Sequence, residues 1–553
     1  MSSAIPIQLQ GKTPSSGTAK LRDIDATGEA TASLTPELVI ALCGPIGSPL
    51  HETADHIENA LRSYDYVVEK VRLSDFIRLN ATVVSSNIRC DSKLVQAQDL
   101  IATGNRLREK FGNDVLAKIA IAKVRADRKK SYGDFQDQAN EAAVPPASRI
   151  SAHRICHVID SIKNTAELDL LRLVYGDALF AIGVFSPLTV RRLNLSHSGV
   201  LADADINVLI DTDSGEEFDH GQSVRNTFPR CDFFLRVDST VHGADDNAAS
   251  QQLFAKLRRF FNLVFQSSVV TPTTEEAAMY AAASGARNSA CFSRQVGAAV
   301  TSSTGEVLAV GWNDVPRSGG GLYGKPQLLP GHPTDATTDK RCYSEPGAQC
   351  FNDREKELVA EKVVGALVVG GIIGAGDAAQ ARQVILSDTR VKDLIEFSRA
   401  VHAEMHAILN ASRLCGDKVV GGKVFVTTYP CHSCARHIVA AGVSEVVYIE
   451  PYRKSLATRL HEDSLSEDAD AVGKVRLLQF DGIAPRRFID LFEARDRKKG
   501  GVLNLRDKSH AVPTTQVSLK AIPRLEDVVV AEVTTNELVL PALASAHRVH
   551  SNE

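Results

Sequence analysis

His402-Ala403-Glu404 and, further along, Pro430-Cys431-His432-Ser433-Cys434 are the residues of this sequence best suited to chemistry. One imidazole and two thiolates make three tetrahedral ligands for zinc and leave the fourth position to water. Cys431 and Cys434, three residues apart at the start of a helix, point to one side, where amide N–H groups and the positive helix end favour both thiolates. Zinc held in this way lowers the pKa of a bound water from about 15.7 to about 7. Glu404, two residues beyond His402, reaches the same face of the metal and can carry protons to and from that water. A lone C-x-x-C is as easily a structural zinc site or a pair of unrelated thiols. Glu404 argues against both, since zinc binding by itself has no need of that carboxylate. The neighbouring His406, His432 and His437 are expected to be packing or surface residues.

These side chains need elements to hold them. A helix is expected from about Ala400, a strand over residues 423–427, a helix from Cys431 and a strand over residues 445–449. Upstream, Thr274 can cap a helix running to Arg287, strands fit residues 295–300 and 307–312, and a long irregular segment follows to about Phe351. The apolar run from Val363 to Ala375 falls short of the roughly 20 residues a membrane helix needs and reads as a buried strand with its turn. In the front half, an apolar strand ending at Cys43 runs into Gly44-Pro45-Ile46-Gly47-Ser48-Pro49 and a helix towards Tyr64. Further strands over residues 66–73, 154–159 and 178–185, with a helix over 166–175, give the alternation of a parallel α/β sheet. A helix-rich stretch over 247–268 leads to a boundary near Thr271-Pro272-Thr273-Thr274.

A chain of 553 residues with 44% hydrophobic content implies two or three globular cores. The formal net charge of −4 gives no global basic footprint, and 6% aromatic residues with one Trp supply few stacking platforms. A small-molecule substrate is therefore favoured over a nucleic acid. Met1-Ser2-Ser3-Ala4-Ile5-Pro6 shows no signal-peptide pattern, no run suits a membrane, and ten cysteines without such a signal suggest reduced thiols in the cytoplasm. Residues 1–35 and 509–553 read as tails.

The pattern H-x-E followed by P-C-x-x-C is that of zinc deaminases, in which hydroxide attacks C4 of a cytosine. With Ser293-Arg294-Gln295-Val296-Gly297-Ala298-Ala299-Val300 and Gly311-Trp312-Asn313, it resembles the deoxycytidylate deaminase branch of the cytidine deaminase superfamily. The resemblance implies that Asn313 contacts the deoxyribose and offers Arg294 for a phosphate. Over residues 36 to 500 the chain resembles the bacterial anti-phage dCTP deaminases, on the order of Val158-Ile159-Asp160-Ser161-Ile162-Lys163-Asn164, Gly221-Gln222-Ser223-Val224-Arg225-Asn226-Thr227-Phe228, Cys350-Phe351-Asn352-Asp353, Tyr448-Ile449-Glu450-Pro451-Tyr452, Lys454-Ser455 and Ala484-Pro485-Arg486-Arg487-Phe488. That likeness implies an α/β chain with a P-loop kinase-like parallel-sheet domain over 36–255 and a zinc-dependent, three-layer α/β/α deaminase domain over 256–508. It also implies zinc as cofactor, homo-oligomers, and conversion of dCTP or dCMP to the deoxyuridine nucleotide, which starves phage of dCTP. A nucleic-acid editing deaminase and a nucleotide sensor with structural zinc are the competing readings. The insertion before His402 carries Ser318-Gly319-Gly320-Gly321 and the thiols Cys342 and Cys350, which read as two reduced thiols in a packed loop, with a second, structural zinc as the alternative.

A working Walker A loop reads G-x-x-x-x-G-K-[ST], so that backbone amides and Lys neutralise phosphates and the hydroxyl holds magnesium. Counted from Gly44, this chain has Pro49, Leu50 and His51 where Gly, Lys and Ser/Thr should stand. A kinase-like fold without kinase chemistry is expected, open to sensing a nucleotide, binding a regulator or scaffolding the oligomer, with Gly44, Gly47 and Ser48 as a weak anion cradle. Arg191-Arg192, where a lid could supply phosphate contacts, is expected to be a solvated basic pair.

Overall fold

The computed structural model describes residues 26–132, 153–197, 203–213, 223–241, 246–317, 321–323, 339, 341–344, 347–450, 455–495, 497–519 and 521–539. Gly221, Gln222, Ser318, Gly319, Gly320 and Pro451 to Lys454, which figured in the sequence reading, lie outside them, as do residues 1–25 and 540–553.

The first body alternates β1 (Leu38–Cys43), α1 (Leu50–Arg62), β2 (Val67–Arg72), α2 (Val115–Tyr132), β3 (Ile155–Asp160), α3 (Thr165–Tyr175), β4 (Leu179–Phe185), α4 (Leu188–His197), β5 (Phe233–Arg236) and α5 (Asp246–Phe265). Its strands lie parallel in the order β2-β3-β1-β4-β5. β1 is apolar throughout because both its faces are covered. Val39, Ala41 and Cys43 pack with α2 and α3, and Leu38, Ile40 and Leu42 pack with α1 and α5. Phe260, Phe261 and Phe265 of α5 are fully buried in that second layer. The boundary expected at residue 256 is thus corrected: α5 belongs to the first body through Phe265.

The second body begins with α6 (Thr274–Ala286). Its cap is Thr273, one residue earlier than expected, in a reciprocal capping box with Glu276. Then come β6 (Gly297–Thr301), β7 (Val307–Trp312), α7 (Phe351–Val369), α8 (Ala378–Asp388), α9 (Ala403–Cys415), β8 (Lys423–Thr428), α10 (His432–Ala440), β9 (Glu445–Glu450), β10 (Leu465–Ser466) and β11 (Val475–Gln479). The sheet order is β10-β11-β9-β8-β6-β7, with β6 antiparallel to both neighbours and the rest parallel. Side chains alternate across it. Ala298, Val300, Val424, Val426 and Val446 face α9 and α10, while Ala299, Phe425 and Val447 face α6 and the first body. The sheet is the middle of three layers.

Three expectations fail. Residues 363–369 continue helix α7 rather than forming a buried strand, and Val369 and Ile372 are 90% and 71% exposed. An apolar run alone does not choose between strand and helix. Second, residues 509–539 are no tail. Val517–Ser518 pairs with Leu34–Thr35, and α11 (Ile522–Thr535) packs on α2, with Glu526 and Glu37 both on the buried Arg128. The front tail likewise gives way from residue 26, where a helix precedes that pairing. Between these, β12 (Gly482–Ile483) adds an antiparallel edge to the first sheet at β5. Glu276, fully buried, ties the two bodies by accepting from Arg259 of α5, from Thr273 N and from Ile483 N at 2.8 Å. No helix among the described residues is long and apolar enough to cross a membrane.

Candidate metal centre

Two helix N-termini meet at one point. His402 is the N-cap of α9 and Cys431 the N-cap of α10, where its sulfur accepts from Cys434 N at 3.4 Å. α9 can lie directly on the sheet because β7 carries Gly311, where a Cβ would stand 2.4 Å from Ala407 N and 2.5 Å from Ala403 O. The backbone bridge between Asp314 and Val401 then holds the turn after β7 against the residue before His402.

His402 Nδ1 lies 3.4 Å from Cys431 Sγ and 3.3 Å from Cys434 Sγ. A tetrahedral zinc with bonds of about 2.3 Å to sulfur and about 2.0 Å to nitrogen would set its ligands about 3.6 Å apart, so the donor set fits the ion. Among the described residues this is the one group of His, Cys, Asp or Glu arranged to hold a metal; Cys342 and Cys350 join none. A hydrogen bond from Cys434 holds the Cys431 thiol well below its ordinary range, the protonation state a metal ligand needs. The Cys434 thiol is driven up as the proton-bearing partner, and the hydrogen bond to Cys431 raises the His402 imidazole. Burial pushes the Glu404 carboxyl up to about 7, helped by the charge of Cys431 and opposed by that of His402.

His402, Glu404 and Cys431 stand in a cavity of about 350 Å³ that Asn313 and Arg294 also line. Asn313 uses its amide on the backbone, accepting from Val296 N and donating to Arg294 O, both at 2.8 Å. It therefore shapes the cavity rim. Arg294 makes an ion pair with Glu450 at 2.8 Å and is half exposed. His406 bonds Trp312 N and Asn410, His432 lies 3.7 Å from Glu396, and His437 caps Ser433 O, so none turns to the metal ligands. Sequence reasoning missed Thr428, Tyr429 and Asn352 as lining residues. Tyr429 and Thr428 sit directly before the P-C-x-x-C motif, which could have flagged them. Asn352 arrives from the insertion; its Oδ1 is buried with no hydrogen-bond partner among the described residues and offers an acceptor to a bound molecule.

The loop after β1 is arranged differently. Gly47 adopts φ 83° with Arg191 O where a Cβ would stand, so glycine is required there. Ile46 N donates to Asp213 Oδ2 at 2.7 Å, and Lys163 Nζ bonds both Gly44 O (2.8 Å) and Asp213 Oδ1 (3.0 Å). His51 pairs with Asp160 at 2.5 Å. Arg191 is buried and donates to Ile46 O, which corrects the solvated pair to one solvated residue, Arg192. Ser48 Oγ is buried with no partner among the described residues.

Residues 272–450 match the family described as the cytidine and deoxycytidylate deaminase zinc-binding region. ComE operon protein 2 of Bacillus subtilis (strain 168) is 43% identical over 56 residues, 10% of this chain and 29% of that protein. The deoxycytidylate deaminase of Enterobacteria phage T4 is 42% identical over 55 residues, 10% of this chain and 28% of that one. The chain thus spans under a third of the length of these curated relatives. The structure of the apo dCMP deaminase of cyanophage S-TIM5 aligns at 18% identity and a TM-score of 0.20, covering 38% of this chain and all of that one. The second body therefore carries a zinc-binding domain of the cytidine and deoxycytidylate deaminase type.

Proposed function

We propose that this chain is a zinc-dependent hydrolase that removes the amino group of free deoxycytidine nucleotides, dCMP or dCTP, releasing ammonia. The observation that carries the reading is Glu404, buried beside a His/Cys/Cys donor set on the wall of a nucleoside-sized cavity. His402, Cys431 and Cys434 would hold the metal. Zinc bound there supplies a Lewis acid that makes water a nucleophile at neutral pH. Glu404, its carboxyl near 7, takes the proton released as oxygen bonds to C4 and delivers it to ring N3. It then takes up the remaining proton and passes it to the departing amine as the C4–N bond breaks. The two helix N-termini favour the anionic ligands.

In the same reading the first body has a P-loop kinase-like fold without phosphoryl transfer, and the chain assembles with copies of itself in the cytoplasm. There it lowers dCTP during phage infection. Incubation of the purified chain with dCTP, dCMP, CTP, cytidine-containing RNA and single-stranded DNA tests the chemistry. Uracil product from the deoxynucleotides is expected, lost in Glu404→Ala with zinc retained and lost together with zinc in Cys431→Ala. Product from oligonucleotides only would replace this reading with an editing deaminase, and phosphoryl transfer would overturn the view of the first body.

A further inference from the structure

A second cavity, about 660 Å³, opens between the two bodies and shares Thr428 with the metal cavity. Its wall carries Arg172 and Arg230 from the first body, Arg287 from the end of α6, and Arg486 from the segment after β12. The carboxylate on that wall is Glu450, already engaged by Arg294 at 2.8 Å and by the Thr428 hydroxyl at 3.3 Å. Glu450 and Thr428 thus form the partition between the two cavities.

The charges behind the wall do not balance those on it. Asp232, almost fully buried, faces Arg172 at 3.6 Å, Arg486 at 2.8 Å and Arg487 at 3.3 Å. Arg487 also holds Asp177, and Arg230 holds Asp169. Arg287 bonds a neutral group, the Gln295 amide oxygen, at 3.4 Å. On the cavity wall Arg172, Arg230, Arg287 and Arg486 therefore stand against Asp169 and Asp232, with Glu450 matched by Arg294 and Asp177 by Arg487 behind the wall, an excess of cations converging on a space. Burial, and then repulsion from Arg230 and Arg487, lowers the Arg172 guanidinium against the pull of Asp232. A group so placed gains from an added anion. Guanidinium forks match phosphate oxygens bidentately, and several of them around one space suit a chain of phosphates better than a single one.

We infer that this inter-domain cleft is a binding site for the polyphosphate of a nucleotide, placed directly beside the metal cavity. The inference deepens the proposed deaminase reading, yet the binding itself does not depend on turnover. Two sources share the chemistry: the phosphate end of the substrate, reaching past Thr428, or a second nucleotide.

Calorimetric titration of the zinc-loaded full chain with inorganic tripolyphosphate tests it. Binding is expected, about tenfold or more weaker in Arg287→Glu and about threefold weaker in the milder Arg287→Gln, as the loss of charged hydrogen bonds predicts. Thermal melts of both variants check that they fold; among the described residues Arg287 makes no ion pair that its loss would break. Titration of dCTP into Glu404→Gln, which does not consume it, separates the sources. One dCTP per chain, displaced by tripolyphosphate, identifies the substrate's own phosphates; two, one of them displaced, identifies a second nucleotide. No tripolyphosphate binding at millimolar concentration, or equal binding by wild type and Arg287→Glu, overturns the site. Tripolyphosphate binding by a chain that deaminates nothing would sink the deaminase reading and leave the site standing.

Discussion

At the end of β1 and again at the end of β8 the chain makes the same move, a strand running into a short turn and then a helix whose N-terminus faces the turn. After β8 the turn delivers two sulfurs and meets an imidazole, with Glu404 alongside, and these groups converge on one another and on a cavity. After β1 the charged groups and the Ile46 amide are satisfied from within, and Ser48 Oγ alone among the loop groups named above has no partner among the described residues. Asp213 takes the Ile46 amide and the Lys163 ammonium, Asp160 takes His51, and Gly44 and Ile46 offer carbonyls to Lys163 and Arg191. A helix N-terminus is a place where an anion is welcome, and a protein can fill that place with its own carboxylate. What separates a site from a scaffold is whether the fold leaves the donor set facing a cavity.

The largest effect belongs to the β8 corner. Glu404→Gln keeps the shape of the side chain and removes its proton transfer, so turnover of deoxycytidine nucleotide should fall about 100- to 10,000-fold while zinc content stays near wild type. Parallel assays of uracil product and bound metal check both halves. A variant that retains turnover within a few-fold would place the proton shuttle elsewhere and erase the contrast between the corners.

In the first body, charges serve the fold. Arg128 is buried between Glu37 and Glu526, the latter brought in by α11. Glu526→Ala leaves a buried guanidinium half satisfied, and a loss of about 3–5 kcal/mol is expected in urea denaturation. A loss below about 1 kcal/mol would mean that α11 is an accessory and the first body closes without it.

His157 sharpens the contrast with His402. His157 is fully buried and His402 half-buried, but His402 faces thiol groups that raise it, whereas His157 sits in the middle of β3 where burial, and then Arg128 and Lys123, push it down to about 3. In the unfolded chain it titrates near 6.5. As pH falls through that value the unfolded state takes up the proton first. Its contribution to stability is therefore whole above about 6.5 and is lost progressively towards 3, by about 2 kcal/mol at pH 5. Urea melts at about pH 7.5 and about pH 5 should show this difference in wild type and not in His157→Leu. An unchanged pH response in His157→Leu would show the ring to be hydrated.

The metal ligands were legible in the sequence because their chemistry demands fixed residue types at fixed spacing, and a helix start makes i, i+3 thiols converge wherever it occurs. Eight strands, β1 to β4 and β6 to β9, were legible from period and from turn residues, with ends off by one or two positions, whereas β5, β10, β11 and β12 were not read as strands. What escaped was set by contacts distant in sequence. Residues 517–535 look loose in isolation and become strand and helix only against Leu34, Thr35 and α2. The run from Val363 is apolar enough for a buried strand, but the four residues that follow Phe351 are polar and start a helix that carries it outward. Asn352 and the arginines of the inter-domain cleft are scattered along the chain, and no local pattern announces that the fold gathers them.

The smallest expected effect tests the other corner directly. Asp213→Asn keeps an oxygen for the Ile46 amide but removes the charge that faces Lys163, so the ammonium would retain Gly44 O and lose its counter-ion. Lys163 is largely buried, which makes the loss real, while the neighbouring carbonyl and nearby solvent limit it to about 1 kcal/mol of stability. Because no ligand is assigned to this loop, turnover at the metal centre should stay within about twofold, a change of about 0.4 kcal/mol in the barrier. Urea melts and the uracil assay on one preparation measure both. A tenfold fall in turnover without a larger loss of stability would mean that the loop after β1 communicates with the metal centre, and the first body would then be a control element rather than a scaffold.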